Sequence, residues 1–127
     1  MGMFKKKVIV TNTKDDSKSF EEEFWIDTGA LYSFITEDYL EKIDFVPSET
    51  RSLVFADGRL GRCPFGYCNF KIEGLEAVNT CAVIAGTKGS MFLLGATALE
   101  NFGVVADPVN KNLVPVLAII GGFEASR

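Results

Sequence analysis

Along this chain, hydrophobic and polar positions alternate in short runs broken by glycine, proline and Asx turns, the spacing expected of β structure. Residues 4–11 carry Val8, Ile9 and Val10, and the polar residues 12–17 turn the chain. Ser19–Ile26 predicts a second strand ending in Phe24-Trp25-Ile26, which Asp27-Thr28-Gly29 breaks. Residues 31–35 are apolar again. Thr36 predicts the cap of a short helix, with Glu37 and Asp38 in its first turn, Tyr39, Leu40 and Ile43 on one face, and Pro47 as its stop. Residues 51–56 and 60–72 flank Asp57-Gly58, a strong hairpin signal between β-prone runs. Residues 77–85 predict another strand and 91–94 a further one ending at Gly95. Ala96–Phe102 reads as a short helix stopped by Gly103. Residues 104–106 and 113–117 then form a hairpin, and 118–120 are a last apolar run. One feature repeats: an apolar strand, a glycine-containing break and a short helix follow one another around Asp27 and again around Leu94. The expected class is all-β with one or two short helices.

The length of 127 residues fits a single domain spanning 1–127, and such a chain buries a core without metal or disulfide staples. Apolar residues at 47% and charged residues at 24% exclude a disordered chain. A net charge of −4 argues against a nucleic-acid binder, and Lys5-Lys6-Lys7 reads as the solvated start of a strand. No stretch approaches a membrane span, and the first residues lack the apolar core of a signal peptide. Met1-Gly2 lacks the Ser or Thr at position 6 that myristoylation wants, because Lys6 stands there. The expected compartment is the cytoplasm. Cys63, Cys68 and Cys81 are an odd number without a Cys-x-x-Cys, read as structural thiols; a Cys63–Cys68 disulfide stays open. Gly86-Thr87-Lys88-Gly89-Ser90 lacks the Gly-Lys-Ser/Thr order of a phosphate loop.

Histidine is absent, which removes Ser-His-Asp, Cys-His and His-metal hydrolases together. Acid–base chemistry must then come from carboxylates, lysine, tyrosine or cysteine. Asp27-Thr28-Gly29 is a candidate, although a triplet of this kind occurs by chance in roughly one chain of this length in twenty. Its position at the end of an apolar strand is informative, because a buried lone carboxylate needs a partner or a shifted proton affinity.

Three segments in order make the chain resemble the retroviral-type (retropepsin-like) aspartic proteases and their cellular relatives. They are Trp25-Ile26-Asp27-Thr28-Gly29-Ala30 with Ser33-Phe34-Ile35, then Phe92-Leu93-Leu94-Gly95 with the helix to Phe102 and Gly103-Val104-Val105-Ala106-Asp107, and finally Asn112-Leu113-Val114-Pro115-Val116. The chain departs from the pattern at Ala96, where the family often has a polar residue, and in a flap poorer in glycine than viral members.

The resemblance implies a closed β-barrel-like acid-protease lobe that dimerises, with Asp27 as the catalytic residue contributed by each copy. It implies that Thr28 donates its hydroxyl across the dimer axis. Gly29 would let backbone approach the carboxylates, and Ala30 would keep the cleft open. Ala56, Asp57 and Gly58 would be the tip of a hairpin flap, and Leu94 and Gly95 the support beneath the catalytic loop. The implied partners are a second copy of the chain and an extended peptide or unfolded protein, without metal or cofactor. Residues 116–120 are the candidate for extra dimer contact, with pairing inside the same chain as the equal alternative. Two other readings stand beside this one: a non-catalytic peptide-binding or dimerisation module on the same fold, and a small β scaffold in which Asp27 is only a turn residue.

Overall fold

The computed structural model describes residues 3–55 and 57–116. Among these, nine strands and two short helices follow as β1 (Lys5–Thr11), β2 (Ser19–Ile26), β3 (Ser33–Thr36), α1 (Glu37–Lys42), β4 (Glu49–Val54), β5 (Leu60–Ile72), β6 (Val78–Gly86), β7 (Leu93–Leu94), α2 (Ala96–Phe102), β8 (Val104–Asp107) and β9 (Asn112–Pro115). The protein is mostly β with two short helices, as the alternation predicts. The residues 118–120 run and most of the 116–120 dimer candidate lie outside the described residues.

Alternation converts directly into burial. In β1, Val8 and Val10 are buried while Lys5, Lys7 and Ile9 are exposed. In β2, Phe24 and Ile26 are buried and Glu21 and Glu23 exposed. β1 pairs antiparallel with β2 on one side and with β5 on the other, setting Val8 opposite Ile72 and Val10 opposite Phe70. The strand order β1-β2-β7-β3-β6-β5-β4 therefore returns on itself through the β1–β5 pairing, with β4 outside the loop of neighbours. β8 and β9 form a separate two-stranded sheet, yet Val104 and Leu113 enter the same apolar core as Phe24, Ile35, Phe70, Val83 and Leu94. An aromatic cluster extends that core: Phe92 meets Phe24 and Tyr39 edge-on at centroid distances of 5.3 and 4.8 Å.

Two helix boundaries show how local chemistry yields to tertiary structure. Thr36 occupies the N-cap of α1, but its side chain makes no capping hydrogen bond. It is also the last residue of β3 and only 3% exposed. At the other end, Asp44 adopts a left-handed φ of 56°, and Phe45 N–H closes onto Leu40 O at 3.0 Å. The helix thus stops at Lys42, ahead of Pro47, and Asn12 Nδ2 covers the freed Ile43 carbonyl at 2.8 Å. α2 ends as predicted, on left-handed Gly103.

All three cysteines are free thiols. Cys63 and Cys68 both belong to β5, five residues apart, which places them about 16 Å apart along an extended strand, far beyond disulfide reach. Cys68 and Cys81 are cross-strand partners in the β5–β6 ladder, and burial pushes their thiols up to about 12 and about 11. The native protein is expected to react rapidly with a thiol reagent at half-buried Cys63 alone, and at all three sites once unfolded. Rapid native labelling of Cys68 or Cys81, located by mass spectrometry, would contradict this packing.

Candidate active site

Asp27 stands one residue beyond β2, where that strand runs parallel to β7 with Trp25 opposite Leu93 and Ile26 opposite Leu94. Its N–H continues the ladder onto Leu94 O at 3.0 Å. β7 is also antiparallel to β3 through Phe34 and Leu93, so two residues of β7 hold the strands before and after the Asp27 loop. Ile26 N–H bonds Phe4 O at 2.9 Å, fixing the same strand end from the other side.

The loop is an Asx turn. Asp27 Oδ1 accepts the Gly29 N–H at 3.0 Å, and Asp27 O accepts that of Ala30 at 3.2 Å. A Cβ on Gly29 would lie 3.3 Å from Asp27 Oδ1, which crowds the carboxylate. Beyond the turn, the loop's carbonyls take the first N–H groups of α2: Ala96 N–H donates to Ala30 O at 2.8 Å and Thr97 N–H to Leu31 O at 3.0 Å. A helix leaves these donors without partners of its own. The loop supplies the acceptors, which explains why Gly95 serves as N-cap without any side chain. Thr97 Oγ1 adds a bond to Leu31 O at 2.8 Å.

Gly95 is held as tightly as any residue here. Its N–H donates to Ser33 Oγ at 3.1 Å, with Ser33 fully buried. A Cβ on it would lie 2.5 Å from Tyr32 O and 2.9 Å from Ala30 O. Leu94 and Gly95 are thus brought against the Asp27 loop from beneath. Ala96, where the chain departs from the resembling pattern, contributes its backbone N–H and needs no polar side chain.

Asp27 is half-buried, and Thr28 and Gly29 are exposed. The carboxylate is therefore less enclosed than a buried strand end suggests. A cavity of about 650 Å³ opens on one side of Asp27, lined by Ala30, Leu31, Tyr32, Phe34 and Leu93 from the floor and by Leu53, Val54 and Phe55 from the hairpin above. A second hollow of about 470 Å³ touches Asp27, Thr28 and Gly29 from the other side, with Met3, Phe4, Ile26, Ala106 and Pro108 around it. Asp27 is the one charged residue lining either hollow among the described residues.

The β4–β5 hairpin forms as predicted, with Phe55 N–H bonded to Arg59 O and Gly58 at a φ of 86°. Asp57 and Gly58 do not line the cavity; Ala56 lies outside the described residues. Asp57 turns instead to Arg59, accepting its N–H at 3.0 Å and its Nε–H at 2.7 Å, and this pairing holds the Asp57 carboxyl below its usual range. The hairpin aromatic among the cavity-lining residues is Phe55, whose ring lies across Gly61 where a Cβ would collide with it.

Sequence reasoning missed four contributors: Ser33, Thr97, Tyr32 and Arg51. Ser33 and Thr97 lie inside the segments that carry the resemblance, and their hydroxyls at strand and helix starts were a usable signal. Arg51 reaches Tyr32 only through the fold. Among the described residues no group of three or more His, Cys, Asp or Glu side chains is placed to hold a metal ion. Nor is any described helix long and apolar enough to cross a membrane. Compared with known proteins, the chain matches no family model and no curated protein.

Ser33→Ala leaves the buried Gly95 N–H without its acceptor and is expected to lower unfolding stability by about 1–3 kcal/mol in urea titration. A loss below about 0.5 kcal/mol, within the range of an inconsequential surface change, would show that the hydroxyl does not hold the loop.

Proposed function

We propose that the chain is one half of a homodimeric aspartic endopeptidase, a closed barrel-like lobe whose Asp27 pairs with Asp27 of the partner subunit to activate water. The observation that carries the reading is Asp27 itself: a carboxylate on a glycine turn, tied by backbone bonds to Leu94 and, through Ala30, to α2, at the edge of an apolar cavity beneath a β-hairpin.

Such a site suits peptide hydrolysis for electrostatic reasons. Two carboxylates brought together do not both ionise easily, so the pair holds one proton. The ionised member takes a proton from water as that water attacks the scissile carbonyl carbon. The protonated member gives its proton to the carbonyl oxygen. The tetrahedral intermediate then collapses as the protonated member gives its proton to the leaving amine and a hydroxyl of the intermediate gives its proton to the ionised member, which restores the shared-proton dyad. No covalent intermediate forms, and no histidine is required.

The second hollow supports a partner of the same kind. It is open, mostly apolar and continuous with exposed Thr28 and Gly29, so a second copy approaching there would cover Met3 and bring its own loop to Asp27. Thr28 would then donate its hydroxyl across the axis. The hairpin from Leu53 to Phe55 would close over an extended peptide bound as an added strand. On the same reading the enzyme works in the cytoplasm, where three free thiols persist reduced.

The test is cleavage of an unfolded protein across pH, with Asp27→Asn prepared alongside. The wild type is expected to show a bell-shaped pH profile, and Asp27→Asn to lose at least about a hundredfold in kcat. Cleavage that survives in Asp27→Asn removes the catalytic reading. Peptide binding without cleavage by a persistently monomeric wild type would assign the cleft to a binding module instead.

A further inference from the structure

Arg51 forms a clamp that nothing in the catalytic reading requires. It lies in β4 on the same face as cavity-lining Leu53, two residues on, since side chains two apart share a strand face. Its guanidinium makes three kinds of contact at once. Nε and Nη2 fork onto the Glu49 carboxylate at 3.1 and 3.2 Å, and Nη1 donates to Tyr32 Oη at 2.6 Å. The same group stacks over the Phe65 ring, 3.9 Å from its centroid. Tyr32 in turn meets Phe65 edge-on at 5.2 Å.

Tyr32 is the residue that gives the clamp its consequence. It lies five residues after Asp27, its backbone is pressed under Gly95, and it forms part of the cavity wall. Arg51 is the hydrogen-bond partner of its hydroxyl among the described residues, while its ring packs edge-on against Phe65. Lysine cannot replace the arginine, because a single ammonium does not fork onto a carboxylate and stack on a ring while reaching a phenol.

We infer that Arg51 is a positioning residue: it fixes the Tyr32 ring as a rigid wall of the substrate cleft, and so couples the flap strand to side-chain selection beside the scissile bond. The role presupposes the peptide-cleaving reading of Asp27. Because Arg51 touches the wall and not the reacting atoms, its loss acts on peptide binding and leaves the chemical step in place.

Two readouts separate the possibilities. In protein labelled with 3-fluorotyrosine, the fluorine line of Tyr32, assigned by its absence in Tyr32→Phe, is expected to shift and broaden in Arg51→Met and to remain so in Arg51→Lys. With a peptide the wild type cleaves, Arg51→Met and Tyr32→Phe are each expected to raise KM about fivefold with kcat within about twofold, and the double variant no more than either alone. Circular dichroism establishes that Arg51→Met is folded; if it is not, Tyr32→Phe, which removes only the hydroxyl, carries the KM test. An unmoved Tyr32 line, a fall in kcat at constant KM, or fully additive effects overturn the role. A cleaving wild type whose variants keep KM overturns the clamp alone. A wild type that cleaves nothing, whatever the fluorine line does, overturns the function and this role with it.

Discussion

The two residues of β7 are the constraint on which the site depends. Leu93 and Leu94 lie between β2 and β3, parallel to the first and antiparallel to the second, so the strand entering the Asp27 loop and the strand leaving it are held by one short segment. Leu94 is fully buried in the main core, which anchors this seam to it. Asp27 hangs from it by its own N–H, and α2 begins one residue after Gly95 and takes up the loop's carbonyls. The carboxylate is therefore placed by backbone geometry, with only the Gly29 N–H contact made by its side chain among the described residues. Under the proposed activity, a group so placed would have its orientation fixed before a substrate arrived.

The β4–β5 hairpin is built on the opposite principle. β4 contributes no fully buried side chain, stands outside the closed order of strands and pairs only with β5 among the described strands. Segments with few buried apolar groups open at low free energy. The hairpin is nonetheless ordered in two places, at its base by Arg51 against Phe65 and Tyr32, and near its tip by Phe55 across Gly61 and beneath Arg59. Cavity floor and hairpin meet at Tyr32, whose backbone lies against Gly95 and whose hydroxyl bonds Arg51 of β4.

Much of this was legible along the chain. The boundaries of β2, β5 and α2 follow from alternation, Asp-Gly and Gly103, because each signal is local. The Asp27 loop and its Leu94-Gly95 support are recognisable as an ordered pair of segments. What the sequence withholds is pairing. Alternation tells which side of β1 is buried, but Val8 opposite Ile72 is a fact of the folded sheet. Thr36 takes the N-cap position that its local signal predicts, but its side chain makes no capping bond. Arg51 and Tyr32 are nineteen residues apart, and their bond exists only once β4 crosses the floor. The flap tip was read from its turn residues, whereas the hairpin residues that line the cavity with Asp27 are Leu53, Val54 and Phe55.

The central claim is that Asp27 completes a dyad with a second copy of itself. A crystal structure of the dimer tests it most directly. The account predicts a two-fold axis through the loops and carboxylate oxygens of the two Asp27 side chains within about 3 Å of each other. A dimer whose two Asp27 carboxylates face away from one another, or lie too far apart to share a proton, would contradict it.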